Sequence, residues 1–218
     1  MVRGCDVAVT MPSDEAPCRS PGAYDRTRVP GVQPGAVATS RDFELFFADG
    51  NIWRMAQTPL TALKADLRAN RGIFRGQMAV TGYRLAQLAR ETLPRPVAKV
   101  LELVYAVLSL ALLGIELPPA VRAGPGLRIY HTIGIVVNTE TVLGSNVTIR
   151  QNTSLAQAQI GDDVDLGMGV LVVGPVTIGA GARIGAGAVV IRDVPAGATA
   201  VGNPARVLPD RTGSTEDA

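Results

Sequence analysis

The sequence is poor in aromatic residues, which make up only 4% of its 218 residues. A core built from this chain must therefore be aliphatic. Histidine occurs once, as His131, and cysteine twice, as Cys5 and Cys18. One imidazole excludes a zinc site that needs several histidine ligands, so no metal is expected. Two cysteines in a proline-rich stretch give no disulfide framework and read as unpaired thiols. Charge of one sign is also missing. The formal net charge is +2, and Lys and Arg thin out toward the C-terminal half, so no nucleic-acid partner is expected. The longest apolar run, Leu103 to Ile115, is short for a bilayer span of about 20 residues. It reads as a buried helix. No basic and then apolar leader opens the chain. Membrane association is not expected, and the compartment reads as cytoplasmic.

Four segments are expected along the chain. Residues 1–40 carry Pro12, Pro17, Pro21, Pro30 and Pro34 among Gly and Ser, and read as a disordered tail. Residues 41–115 read as helical. Thr58-Pro59 is a helix start, Leu60, Leu63 and Leu67 share a face, and Asn70-Arg71-Gly72 is a stop. A second helix over Gln77 to Thr92 is expected to bury Met78, Leu85 and Leu88. A third, from Val97 to Leu113, is apolar on most sides and needs enclosure. Residues 116–208 form the third segment, and 209–218 a frayed tail.

In the third segment helical spacing gives way to a period of six. Aliphatic markers fall at Ile160, Leu166, Val172, Ile178, Ile184 and Val190. Upstream the same period runs through Leu117, Ala123, Ile129, Ile135, Thr141, Val147 and Thr153, and a seven-residue step joins the two series. Glycine follows the marker at Gly161, Gly167, Gly179 and Gly185. A sustained hexapeptide period is the signature of a parallel β-helix, in which each hexapeptide is one strand and one turn. Markers fill the core, and the glycines are assigned to tight corners.

His131 sits two residues after the marker Ile129, so nothing forces it into the core. Glu116 lies fifteen residues earlier, close to one coil, and the two can meet on neighbouring coils. A carboxylate beside one imidazole nitrogen leaves the other to act as a general base.

From Gly114 to Arg206 the sequence resembles the left-handed β-helix acyltransferases, in particular the serine acetyltransferases. The residues that carry the likeness are His131 followed by Gly134-Ile135-Val136-Val137, the carboxylate Glu116, and the closing run Gly202-Asn203-Pro204-Ala205-Arg206. The resemblance implies a left-handed β-helix, a homotrimer, and acetyl-CoA as co-substrate in a groove between neighbouring β-helices. It makes His131 and Glu116 catalytic, Ala186 and Gly187 the wall against the pantetheine, and Arg192 and Arg206 partners of the CoA phosphates. Three departures turn the expected acceptor away from serine. Tyr130 stands where the family carries Asp, Asn70-Arg71-Gly72 replaces an Arg-Asp-Pro type motif, and Leu155 to Ile160 leaves no room for a loop bearing Arg-His. Glu116 and Asp66-Leu67-Arg68-Ala69-Asn70 look more like the colanic acid biosynthesis acetyltransferases. The expected acceptor is therefore a sugar hydroxyl of a polysaccharide or glycosylated metabolite, with Tyr130 in the acceptor site. Serine is one alternative and a non-catalytic β-helical scaffold another. The last residue is Ala218 where the family's partner-binding tail ends in Ile, so that partnership is not expected.

Overall fold

The computed structural model describes residues 58–209, all within one compact unit, Arg54–Ala218. Cys5, Cys18, the 1–40 segment and nearly all of the 209–218 tail lie outside the described residues.

Three helices precede the coils. Helix α1 is Pro59–Ala69, α2 is Phe74–Thr92, and α3 is Arg95–Leu108, which continues into a π turn at Ser109–Leu113. The Thr58 hydroxyl accepts from the Thr61 amide at the start of α1, and Gly72, at φ +82, follows its end. On the shared face of α1, Leu67 packs against the core while Leu60 is half exposed. The buried face expected of α2 is not the observed one: Met78 and Leu85 are 40% and 50% exposed, and Leu88 is half-buried. Gly76, Ala79, Val80, Tyr83 and Arg84 line the buried face of α2 instead. The reason is close approach: a Cβ on Gly76 would lie 2.4 Å from the Ile129 carbonyl oxygen. Small and hydrogen-bonding residues fit there, and leucines do not.

The helix from Arg95 to Leu113 is longer than the apolar run suggested. Its 19 residues are enough by length and composition to cross a membrane. It is not enclosed by the other described residues, with Val100, Leu103, Val107, Leu110 and Leu112 each more than half exposed. Tyr105 ties it to the first coil by donating to the Leu117 carbonyl at 2.9 Å.

The rest is a left-handed parallel β-helix of five coils. The first coil holds β1 (Ile115–Glu116), β2 (Arg122–Ala123) and β3 (Arg128–Ile129). The second holds β4 (Ile135–Val137), β5 (Val142–Leu143) and β6 (Thr148–Ile149), and the third β7 (Ser154–Leu155), β8 (Ala158–Ile160) and β9 (Asp165–Leu166). The fourth holds β10 (Leu171–Val172), β11 (Val176–Ile178) and β12 (Arg183–Ile184). The fifth holds β13 (Val189–Val190), a single bridge at Val194, and β14 (Thr199–Val201). Strand β15 (Arg206–Val207) folds back antiparallel on β14. Every third strand stacks into one of three sheets, in the orders β1-β4-β7-β10-β13, β2-β5-β8-β11 and β3-β6-β9-β12-β14-β15.

Each strand sends two side chains inward, two residues apart, and the core is an aliphatic column made of both. Because either can serve as the marker, the six-residue period can be drawn in two phases. The register resolves the choice. Val137 stacks on Leu155, Leu143 on Ile160 and Ile129 on Ile149. The strand-ending residues are therefore Ile129, Val137, Leu143, Ile149, Leu155 and Ile160. Ile135, Thr141, Val147 and Thr153 are their inward companions. The seven-residue step is corrected accordingly. The chain gains two residues between Ile129 and Val137 and loses one between Leu155 and Ile160. The gain falls on the corner that holds His131.

The marker-following glycines also have a different cause from the one expected. A Cβ on Gly167 would lie 2.6 Å from the Ala186 amide nitrogen of the next coil. Coil-to-coil approach, not a left-handed backbone, excludes a side chain there. Left-handed φ occurs two residues later, as at Gly187 with φ +70 and open space around its Cβ position.

Helices α1 and α2 cap the open end of this stack. The buried Asp66 carboxylate accepts from the Gly126 and Leu127 amides at 2.7 and 2.9 Å, and from Arg84 Nε at 2.7 Å. Arg84 also donates to the Ala123 and Gly124 carbonyls at 3.0 and 2.7 Å. Asn70 donates to the Leu127 carbonyl and accepts from the Ile129 amide, at 2.8 and 2.9 Å. Tyr83 donates to the Val121 carbonyl at 2.7 Å. An unpaired strand edge buried under helices would be costly, and these side chains satisfy it.

Candidate active site

One corner column of the β-helix joins the third sheet to the first. Its successive corners are Tyr130–Gly134, Arg150–Asn152, Gly167–Gly169 and Gly185–Gly187. Gly134, Asn152, Gly169 and Gly187 have φ of +74, +58, +69 and +70, so the lower three corners follow one plan. The corner of Tyr130–Gly134 adds two residues to that plan, and His131 lies in the bulge with φ +38. The single histidine thus occupies the irregular corner of an otherwise regular column.

The bulge is braced on several sides. The Tyr130 amide donates to the Ile149 carbonyl at 3.0 Å, and the Gly134 amide to the Gly114 carbonyl at 2.8 Å. Thr132 is fully buried, and its hydroxyl donates to the Leu113 carbonyl at 2.5 Å. Arg75 reaches in from α2, donating to the Leu112 and Leu113 carbonyls at 3.0 and 3.3 Å and to Thr132 Oγ1 at 3.4 Å. Below, Asn152 Oδ1 fills the space that a Cβ on Gly134 would need. With its neighbours fixed, the His131 side chain is left exposed at the corner.

Glu116 lies on the outward face of β1, directly above Val136 of β4. It is exposed, two residues beyond Gly114, whose carbonyl accepts from the Gly134 amide at the end of the bulge. No hydrogen bond or ion pair joins Glu116 to His131 among the described residues. Tyr130 is half-buried, and its ring lies 5.4 Å from the Arg150 guanidinium. Ala186 and Gly187 stand exposed three coils along the same corner column. At a coil spacing of about 4.8 Å, that is ~14 Å from the bulge. Arg192 lies after β13 at a different corner, and Arg206 lies on β15. Both arginines are exposed; Arg192 is at another corner than Ala186 and Gly187, whereas Arg206 pairs with Val201, which stacks on Gly185 at the start of their corner.

Arg75, Thr132, Arg150 and Asn152 went unnoticed in the sequence. The signal for Arg150 is its place one coil below Tyr130. That relation is visible only when the two-residue gain is put at 130–134 and not beyond 153.

A β-helix of hexapeptides with its histidine on an irregular corner defines a hexapeptide-repeat transferase. Residues 157–192 match the family described as Bacterial transferase hexapeptide (six repeats). A serine acetyltransferase of Mycobacterium tuberculosis is 32% identical over 171 residues, covering 68% of this chain and 73% of that protein. Among solved structures, soybean serine acetyltransferase complexed with serine superposes with a TM-score of 0.61 at 32% identity, covering 69% of this chain and 70% of that one. A serine acetyltransferase in complex with CoA gives a TM-score of 0.61 at 26% identity, over 69% and 70% of the two chains. The chain belongs to the serine acetyltransferase family. It spans 26% to 61% of the length of seven other curated relatives it matches.

These relatives overturn the expectation of a sugar acceptor, since they are named for serine. The physical reason is in the structure. Asp66 and Asn70, part of the run that pointed to the exopolysaccharide branch, are fully buried caps of the first coil and select no acceptor. Of the remaining departures, Tyr130 alters a single position, while between Leu155 and Ile160 the chain is one residue short and carries no loop.

Proposed function

We propose that this chain transfers an acetyl group from acetyl-CoA to the hydroxyl of serine. The observation that carries the reading is the two-residue bulge that sets the only histidine out from a regular corner column. Family membership supports the substrates, because solved relatives hold serine and CoA. His131 takes the proton of the acceptor hydroxyl through one ring nitrogen. The oxygen attacks the thioester carbonyl, the C–S bond breaks, and the imidazolium gives its proton to the departing sulfur, releasing CoA thiol and restoring the neutral base. Glu116 orients and charge-balances the ring. The Glu116–His131 hydrogen bond forms in the ternary complex, as catalytic contacts often tighten only when substrate is bound. Backbone amides supply the oxyanion stabilisation.

Acetyl-CoA is the co-substrate and runs along the corner column toward Ala186 and Gly187. Arg192 and Arg206 serve its phosphates, for which guanidinium is well suited. The groove is completed by a second copy in a homotrimer. What supports this assembly is the outward face of the first sheet, where Val136, Leu171 and the flanking Val173 and Ile191 are each 41–54% exposed. Tyr130 borders the acceptor.

Thiol release from acetyl-CoA, followed with and without serine, tests the reading. The expected result is serine-dependent release that falls by about 10²–10⁴ in His131→Ala while the fold persists. Absent or serine-independent release refutes the substrate, and undiminished release in the variant refutes the base.

A further inference from the structure

The bulge at His131 is held by one side chain that has no role so far. Ile129 and Ile149 are paired across β3 and β6, so Tyr130 and Arg150 occupy the same place on successive coils. The guanidinium of Arg150 lies against the Tyr130 ring, 5.4 Å from its centroid. Arg150 is itself clamped. Its Nη1 donates to Asp165 Oδ1 and, at 2.9 Å, to the Leu166 carbonyl, while Nη2 reaches Asp165 Oδ2 at 3.4 Å. Asp165, Arg150 and Tyr130 therefore form a chain of contacts that climbs two coils and ends beside His131.

As a source of stability this chain is weak, because a partly exposed ion pair contributes little. Its placement has another use. His131 adopts a left-handed backbone that residues other than glycine seldom take. Main-chain bonds fix the bulge before and after it, and Thr132 is pinned to the helical region. The side chain next to His131 is held from the coil below by Arg150. Arginine suits the task, since its plane stacks on an aromatic face while its fork grips a carboxylate.

We propose that Arg150, clamped by Asp165, is a positioning residue for acetyl transfer: through the Tyr130 ring it fixes the direction of the His131 imidazole. The inference rests on the serine acetyltransferase reading for its kinetic consequences. A misplaced base loses rate steeply, about a hundred-fold for an ångström.

The test compares Arg150→Met, Arg150→Lys, Tyr130→Leu and the double variant R150M/Y130L, with circular dichroism to verify folding. The first readout is thiol release from acetyl-CoA with serine. In R150M kcat is expected to fall about ten- to a hundred-fold, with KM for acetyl-CoA changed by less than about two-fold. R150K recovers part of the loss, because lysine keeps the cation without the fork. The double variant is no worse than Y130L, since both substitutions remove one contact. The second readout needs no turnover. With one histidine in the chain, the imidazole Hε1 gives a single NMR signal. It is expected to shift or broaden in R150M and to return toward the wild-type position in R150K. Unchanged kcat or an unchanged signal in R150M overturns the proposal, as do losses that multiply in the double variant. If the wild-type protein releases no thiol with serine, the substrate reading falls separately. The brace is then decided by the His131 signal alone, upheld if R150M displaces it and refuted if not.

Discussion

Removing the charge of Asp66 should cost this protein a large share of its stability. The carboxylate is fully buried, its partner Arg84 is 4% exposed, and their contact is 2.7 Å. In Asp66→Asn the amide oxygen can still accept from the Gly126 and Leu127 amides. Its nitrogen then faces Arg84 Nε, donor against donor, and a buried guanidinium is left without its anion. Breaking one side of a buried pair costs about 3–5 kcal/mol. For a unit of this size each kcal/mol shifts the melting temperature by about 2–4 °C, so the expected drop is roughly 6–20 °C. Urea and thermal unfolding followed by circular dichroism measure it, and hydrogen exchange at Gly126 and Leu127 locates it. A surface pair supplies the internal reference. Arg90–Glu102 has side chains 51% and 23% exposed, and Glu102→Gln should cost no more than ~0.5 kcal/mol. A loss below about 1 kcal/mol in Asp66→Asn would refute the reasoning. The helices would then be an accessory to the β-helix and not its cap.

Three further outcomes follow from the same structure. Gly167→Ala should destabilise by about 1–3 kcal/mol, because its methyl group meets the Ala186 backbone. Gly187→Ala has open space but a left-handed φ, and should cost about 1–2 kcal/mol; denaturant midpoints compare the two. Burial pushes the Tyr83 phenol well above its ordinary pKa, so the folded protein holds it neutral. Its contribution is full below about pH 10 and is lost as the pH climbs above that value, where only the unfolded chain ionises. Tyr83→Phe should therefore flatten part of the alkaline decline in stability, and an unaltered decline would refute this.

Both ends of α1, the end of α2, the hexapeptide period and the lone histidine on a non-core position were legible as residue patterns, whereas α2 and α3 start three and two residues earlier than expected. Turn chemistry such as Thr58-Pro59 acts locally, and a repeat states its own period. The faces of α2 were not legible. Hydrophobicity favoured Met78 and Leu85, but the surface that α2 covers is a strand edge of bare amides and carbonyls. Polar and small residues are what such an edge requires. Asp66 and Asn70 were read as a family trait for the same reason, since their partners lie about 60 residues away.

By itself the sequence determined a β-helix with an aliphatic core, because spacing alone decides which side chains face inward. It determined a single candidate base, because only His131 is available. Tertiary structure decided the phase of the repeat. Two inward positions per strand make two phases equivalent on paper, and only the pairing of Leu143 with Ile160 and Val137 with Leu155 separates them. Once that phase is set, the extra residues fall on the corner of His131 and Arg150 comes to lie beneath Tyr130. Stacking between coils is a contact between residues some twenty apart, and no local pattern contains it.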